Sequence, residues 1–156
     1  MVYSAVVTSF HLAQLNVASP RAPIDDPSMA GFVKELEVIN ALADAAPGFV
    51  WRLVGEGSDD ATALRPFGPD LMVNMSVWES VEALRDFTYR DADHLEQLRR
   101  RREWFSHTGL GSHLVLWWIP AGTIPTLQEA RERLALLDAN GPGPDAFTLR
   151  TPYDSP

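Results

Sequence analysis

Residues 71–78, with the sequence LMVNMSVW, constrain the fold of this chain more than any other segment. Successive side chains of a β-strand point to opposite faces of the sheet. One face of this strand is wholly apolar and consists of Leu71, Val73, Met75 and Val77. The other face mixes polar and bulky apolar groups and consists of Met72, Asn74, Ser76 and Trp78. Two unlike buried faces are typical of a strand that separates a packed core from a ligand cavity.

Three more strands and several helices are predicted around this strand. Apolar or alternating runs indicate strands at residues 10–18, 49–54 and 113–119. Helical spacing indicates helices over residues 27–46, 81–87 and 95–105, the first capped by Asp26 and the second by Ser80. Residues 55–70 are rich in Gly, Asp and Pro, which predicts a long exposed turn.

A last helix is predicted to end near residue 139, because Thr126 and Glu129 form a capping box at its start. The tail at residues 141–156 is weakly specified and is expected to pack through Phe147 and Leu149. The chain has 156 residues, which fits a single domain with a core over residues 10–140.

This order of elements predicts an α+β fold of the ferredoxin-like split βαβ type with an additional C-terminal helix. We expect the first and third strands to lie centrally and parallel to each other. The mixed faces carry apolar residues, among them Leu12, Met72 and Trp78, that are too large to stay in water. A second copy packed sheet to sheet would cover them, so we expect a homodimer.

Charge and composition exclude several classes of protein. The net charge of −8 argues against nucleic acid and anionic membranes as partners. The basic run Arg99–Arg102 is interpreted as a solvated or ion-paired helix face. The absence of Cys excludes thiolate nucleophiles and Cys-ligated metals. No signal peptide or membrane-spanning run is recognisable, so a cytoplasmic location is expected.

Six segments resemble a bacterial family of unknown function within the dimeric α+β barrel superfamily, to which the antibiotic biosynthesis monooxygenases also belong. These segments are residues 11–16, 25–27, 47–53, 74–80, 101–105 and 116–122. The resemblance extends over residues 10–147 and implies a dimeric α+β barrel. That superfamily includes cofactor-free oxygenases, haem enzymes, cyclases and isomerases, so the resemblance specifies the fold better than the reaction. Relatives often have a histidine after the Pro-Ala-Gly turn, where this chain has Thr123.

Polar residues on the two central strands are the main candidates for a site. We expect Asn16 and Asn74 to be neighbours, with Gln14 and Ser76 beside them. Two carboxamides can hold a carbonyl or phenol oxygen or a developing oxyanion. Alternatively, they bond each other or a buried water. Arg52 either clamps an anionic substrate or pairs with a nearby carboxylate.

The histidines offer a general base but no metal site. His11 is the candidate base. His11 and His113 each begin a strand, and because these two strands run antiparallel, the two histidines lie at opposite ends and should not share a metal. His94 and His107 lie at helix boundaries, where capping or solvated roles are common. No metal-ligand spacing is present, so no metal is predicted. One axial histidine suffices for haem, which therefore stays open.

Aromatic residues complete the candidate site. Trp78, Trp104 and either Trp117 or Trp118 form an aromatic box for a planar ligand or belong to the core. The leading hypothesis is a small-molecule enzyme that resembles the antibiotic biosynthesis monooxygenases and works without a cofactor on an apolar or aromatic metabolite, by oxygenation, cyclisation or isomerisation. The alternatives are a non-catalytic ligand-binding module and a haem-binding enzyme.

Overall fold

The computed structural model describes residues 9–55, 60–62, 64–90, 105–106 and 113–156. The strands are β1 (Phe10–Pro20), β2 (Phe49–Arg52), β3 (Met72–Trp78), β4 (Phe105–Ser106) and β5 (Leu114–Pro120). The helices are a 3₁₀ turn (Pro27–Met29), α1 (Ala30–Asp44), α2 (Val81–Arg90) and α3 (Leu127–Asn140). The predicted helix over residues 95–105 lies outside the described residues except for Phe105.

The four longer strands form one antiparallel sheet in the order β2-β3-β1-β5, and the short β4 pairs with the end of β1. The expectation that β1 and β3 are parallel is wrong. The crossover through α1 makes β1 and β2 parallel, and β3 is antiparallel to both because it follows β2 along a reversing connection. The ferredoxin-like split βαβ architecture and the additional C-terminal helix are confirmed.

The pairing register places the polar residues of the two central strands side by side. Asn16 lies opposite Asn74, and Gln14 lies opposite Ser76. Side chains directly opposite each other in an antiparallel pair share a face, with Cβ atoms about 5 Å apart. The neighbouring position of the two asparagines is therefore confirmed, although the strand direction behind that prediction is reversed.

The wholly apolar face of the sheet packs against α3. Its core includes Val73, Met75 and Val77 from β3 and Ala130, Leu134 and Leu137 from α3. Leu64 and Phe67, which follow β2, pack against the same core. The added C-terminal helix therefore covers the sheet face that the first two helices leave open.

The mixed face packs against α1, α2 and the tail. Leu12, Trp78 and Leu116 of the sheet join Ala43, Val81, Leu84 and Phe147 in one cluster. The argument that a second copy must cover this face is therefore wrong, because the chain covers it with its own helices. Backbone bonds of 2.8 Å in each direction join Phe147 to Leu116, so the predicted packing of the tail through Phe147 is confirmed.

Three predicted helix caps are present, one of them in altered form. The Asp26 carboxylate accepts a hydrogen bond from the Ser28 amide, and the Ser80 hydroxyl accepts one from the Ala83 amide. The Thr126 hydroxyl accepts from the Glu129 amide over 3.0 Å. The Glu129 carboxylate, however, accepts from the Trp117 indole instead of returning to Thr126, so only half of the predicted capping box forms.

Phe105 corrects the predicted end of the helix over residues 95–105. Phe105 lies in β4 and pairs with Pro20 at the end of β1. Its ring packs edge to face against Phe32 of α1, with the ring centroids 4.9 Å apart. Pairing with the end of β1 and contact with α1 override the local helical spacing at this residue.

Candidate functional site

A cavity of about 180 Å³ lies between α1 and the mixed face of the sheet. Helix α1 contributes Phe32, Glu35, Leu36, Ile39 and Asn40. The sheet contributes Asn16, Ala18, Arg52, Met72, Val73, Asn74 and Phe105, and Leu53 follows directly after β2. Residues 60–62 complete the wall. A partly open cavity with a mainly apolar lining and a few convergent polar groups is the usual form of a small-molecule site.

Asn74 is the feature that best locates the site. It pairs with Asn16 of β1 and lies two residues beyond the last β2 pair, Arg52–Ser76, and it is exposed while every other residue of β3 is buried. Its neighbours on the same face, Met72 and Ser76, are only 6% exposed. The helix layer therefore leaves a gap directly over the Asn74 carboxamide.

A chain of hydrogen bonds leads from Asn74 into the core. Gln14 Nε2 donates to Asn74 Oδ1 over 2.6 Å and to Ser76 Oγ over 2.8 Å. Trp78 Nε1 donates to the same Ser76 oxygen over 2.9 Å. Because Gln14, Ser76 and Trp78 are buried, these contacts hold the base of the site in a fixed arrangement.

The side-chain oxygen of Asn16 is a hydrogen-bond acceptor without a partner in the described part of the chain. Its Oδ1 atom is buried, and no donor among the described residues reaches it. A buried acceptor without a partner is costly, by about 1–3 kcal/mol. Because Asn16 also lines the cavity, a bound ligand or water that donates a hydrogen bond would offset this cost.

Charged side chains line the rim of the cavity. Arg52 Nε donates to Asp44 Oδ1 over 2.8 Å, with Arg52 17% and Asp44 49% exposed. The pairing of Arg52 with a carboxylate is therefore the alternative that forms, and the guanidinium still lies in the cavity wall. Asp60 accepts from the amide and the hydroxyl of Thr62, which fixes its loop beside the cavity.

Those predicted site residues that the structure describes separate into three groups. Asn16, Arg52 and Asn74 line the cavity, and Gln14, Ser76 and Trp78 form the hydrogen-bonded base behind it. His11 and Trp117 lie on the opposite, apolar face of the sheet, because they alternate with the mixed-face residues along their strands. Trp104, His94 and His107 lie outside the described residues.

One member of the predicted aromatic box, Trp78, lies in the core of the described structure. Trp78 is 1% exposed and packs between Phe49, edge to face, and Phe87, stacked with the ring centroids 5.2 Å apart. Trp118 donates its indole hydrogen to the Tyr153 carbonyl over 2.9 Å, so it anchors the tail. Among the described residues, the aromatic side chains that line the cavity are Phe32 and Phe105.

Several cavity residues were missed by sequence reasoning. Asn40 interrupts the apolar repeat of α1, and that interruption was a usable signal, because a polar residue on a buried stripe needs a partner or a cavity. Glu35 gave no such signal, since it falls between apolar positions at an ordinary helix spacing. Asp60 belongs to a turn whose path the sequence did not specify.

Neither of the two described histidines, His11 and His113, lines the cavity. The described part of its wall thus offers no imidazole as an axial haem ligand. In the same part of the chain, no group of three or more potential metal-ligating residues occurs. None of the described helices is long and apolar enough to span a membrane.

Comparison with known families and structures identifies the fold. A family model described as a domain of unknown function, DUF3291, matches residues 11–156. No curated protein matches the chain.

Solved structures show the same architecture at low identity. SnoaB from Streptomyces nogalater, described as a cofactor-independent oxygenase, is 18% identical; the match covers 76% of this chain and all of SnoaB, with a TM-score of 0.50. PA3566 from Pseudomonas aeruginosa is 13% identical over 74% of this chain and 98% of its own, with a TM-score of 0.49. A Nitrosomonas europaea protein described as a candidate antibiotic biosynthesis monooxygenase is 11% identical over 81% and 99%, with a TM-score of 0.49. At 18% identity the likeness to SnoaB shows the fold and leaves the chemistry open.

Proposed function

The chain belongs to the DUF3291 family, and we propose that it is a small-molecule enzyme whose substrate, an apolar or partly aromatic metabolite, binds between α1 and the sheet. The observation that carries the proposal is the exposed carboxamide of Asn74 on a central strand, opposite Asn16, in a cavity with a mainly apolar lining. A polar group at such a position is normally buried and bonded. Its exposure into a cavity is typical of a binding site.

The chemistry that fits this arrangement stabilises an oxyanion. Asn74 would donate a hydrogen bond to a carbonyl or phenol oxygen of the substrate as negative charge develops there. Donors fixed in place before the reaction are effective because they need no reorganisation in the transition state. Arg52 adds positive potential to the same wall. Oxygenation without a cofactor, cyclisation and isomerisation each require such a site in a water-poor pocket.

Glu35 is the proposed general base in place of His11. It lies on α1 in the cavity wall and is half-buried, whereas His11 lies on the other face of the sheet. A carboxylate across the cavity from Asn74 can take a proton from a substrate carbon or hydroxyl while Asn74 holds the oxygen. SnoaB is described as a cofactor-independent oxygenase, so oxygenation with O₂ as co-substrate is the first reaction to test.

A ligand that co-purifies with the protein, identified by mass spectrometry, provides the substrate for this test. Asn74→Ala should lower turnover of that ligand by more than about tenfold, because one oxyanion donor is worth at least that much. Asn140→Ala is the matched control, since Asn140 is exposed at the end of α3 on the far side of the sheet. Equal rates for Asn74→Ala and the control would end the proposal for Asn74.

A non-catalytic binding module is the second candidate function. It is favoured by the small number of acid–base groups in the described cavity wall, where Asp60 already accepts two hydrogen bonds from Thr62. Binding alone needs no base. Stable binding of the co-purified ligand without any product, under air and over hours, would favour the module over the enzyme.

We also propose that the protein forms a homodimer, although by a contact other than the one first expected. Both faces of the central strands are covered within one chain, by α3 on one side and by α1 and α2 on the other. A sheet-to-sheet contact would therefore require α3 to move. Light scattering at micromolar concentration tests the dimer, and a monodisperse monomer would rule it out.

A further inference from the structure

We propose that the cavity recognises a neutral ligand group that carries a hydrogen-bond acceptor beside a donor, as in a cis-amide or lactam, and that Gln14 is the residue that imposes this preference. The inference deepens the proposed function and rests on its small-molecule site. It follows from the orientation of two carboxamides, Asn16 and Asn74.

Gln14 sets the orientation of the Asn74 carboxamide. Gln14 Nε2 donates to Asn74 Oδ1 over 2.6 Å, so the carbonyl side of the Asn74 amide is turned toward Gln14. The oxygen and the nitrogen lie on opposite branches of a planar carboxamide, and the NH₂ group therefore turns away from Gln14. Because Asn74 is exposed to the cavity, this NH₂ group is the donor that the site offers to a ligand.

The side chain of Gln14 is itself held in place by buried hydrogen bonds. It is 6% exposed, and its two Nε2 hydrogens are divided between Asn74 Oδ1 and Ser76 Oγ. Ser76 Oγ is held in turn by the indole hydrogen of Trp78, which can only donate. Gln14 thus cannot swing away from Asn74 without losing a second buried bond, so it acts as a positioning residue for the Asn74 amide.

The side chain opposite Asn74 provides a hydrogen-bond acceptor. Asn16 lies directly across from Asn74 on the same sheet face, and its Oδ1 is buried with no partner among the described residues. Because Oδ1 is shielded from solvent, a small rotation of the Asn16 side chain is needed to bring this acceptor beside the Asn74 donor in the cavity. A ligand with an acceptor and a donor on neighbouring atoms satisfies both, whereas an acceptor alone leaves Asn16 Oδ1 unpaired.

The test compares two planar probes that differ by one methyl group. 2-Pyridone carries a carbonyl beside an N–H, and N-methyl-2-pyridone keeps the carbonyl but has no donor. The folded protein should bind 2-pyridone about tenfold more tightly by NMR titration, which corresponds to one satisfied buried hydrogen bond. The side-chain NH₂ signals of Asn74, assigned with Asn74→Ala, should shift with 2-pyridone.

Gln14→Met removes both donors at nearly constant volume and frees the Asn74 amide to turn. The preference for 2-pyridone should then fall to within about twofold, by the same hydrogen-bond accounting. Gln14→Glu should also abolish it, because the carboxylate accepts from the Asn74 NH₂ group and turns the Asn74 oxygen into the cavity. Gln128→Met is the matched control on the exposed side of α3 and should keep the preference. Thermal unfolding first establishes that each variant is folded at the assay temperature.

The outcomes separate this inference from the proposed function. Equal binding of the two probes by the natural sequence, or an unchanged preference in folded Gln14→Met, would overturn the role of Gln14 and leave the small-molecule site standing. If neither probe binds and no ligand co-purifies, the proposed function fails first and the inference fails with it.

Discussion

The indole nitrogen of Trp117 donates a hydrogen bond to the Glu129 carboxylate over 2.7 Å and so ties β5 to the first turn of α3. Trp117 is fully buried, and Glu129 provides the acceptor for the only polar atom of its side chain. This bond joins the added C-terminal helix to the sheet face that the other helices leave open. It also explains why Glu129 does not complete the predicted capping box with Thr126.

Glu129→Ala should lower the free energy of unfolding by about 1–3 kcal/mol, because it leaves the buried indole N–H without a partner. Glu129→Gln keeps an acceptor oxygen at the same distance and should cost less. Glu132→Ala, one turn further along the exposed side of α3, should stay within about 0.5 kcal/mol of the natural sequence. Urea denaturation measures all three. An equal loss in Glu129→Ala and Glu132→Ala would contradict the structural role of the bond.

A close contact between the turn after α1 and α2 gives a second prediction. A Cβ atom on Gly48 would lie 2.5 Å from the Ala83 Cβ, and Gly48 has a φ of +82°. Gly122 has nearly the same φ, +86°, but nothing lies within 4 Å of its added Cβ. Gly48→Ala therefore combines backbone strain with overpacking, whereas Gly122→Ala introduces the strain alone.

Gly48→Ala should destabilise the fold by about 1–3 kcal/mol more than Gly122→Ala, which is the typical cost of overpacking. The common cost of the positive φ, about 1–2 kcal/mol, cancels in the comparison. Thermal or urea unfolding of the two variants measures the difference. Similar losses for both would show that α2 moves aside to accept the methyl group.

The sequence predicted the strand residues of the site better than the helix and loop residues that face them. Strand alternation placed Asn16 and Asn74 as neighbours, and this held although the strand direction was wrong, because both residues lie near the middle of their strands. The second wall was not predictable, since helical spacing alone does not show how far α1 stands from the sheet at Asn40. Likewise, the spacing of Thr126 and Glu129 could not show that a buried Trp117 would compete for the carboxylate.

The Asp26 cap gives a pH-dependent prediction. The Ser28 hydroxyl and then the Ser28 amide donate hydrogen bonds to its carboxylate, which lowers the pKa of Asp26 below its ordinary value. A lowered pKa in the folded state adds stability above the unfolded pKa and loses it as the pH falls through the folded value. Asp26→Ala should thus be less stable than the natural sequence at pH 7, and the gap should shrink below about pH 4.

Urea denaturation at neutral and at acidic pH tests this expectation. Asp25→Ala is the control, because it removes the same charge one residue earlier without removing the acceptor of the Ser28 bonds. A gap for Asp26→Ala that grows on acidification would contradict the assignment. Since the group is fully exposed, the effect should be small, and several replicate curves are needed at each pH.

The last prediction concerns the Arg52–Asp44 ion pair at the rim of the cavity. Asp44 is half-exposed, so solvent and salt screen the pair, and its coupling in a double-mutant cycle should be below about 1 kcal/mol. The cycle uses Arg52→Ala, Asp44→Ala and the double variant, with urea unfolding at low and high salt. Arg52→Ala alone should cost more than Asp44→Ala, because the Arg52 side chain also packs in the cavity wall. A coupling above about 2 kcal/mol, beyond the usual range for exposed pairs, would contradict this expectation and would make the pair a main contributor to the stability of the fold.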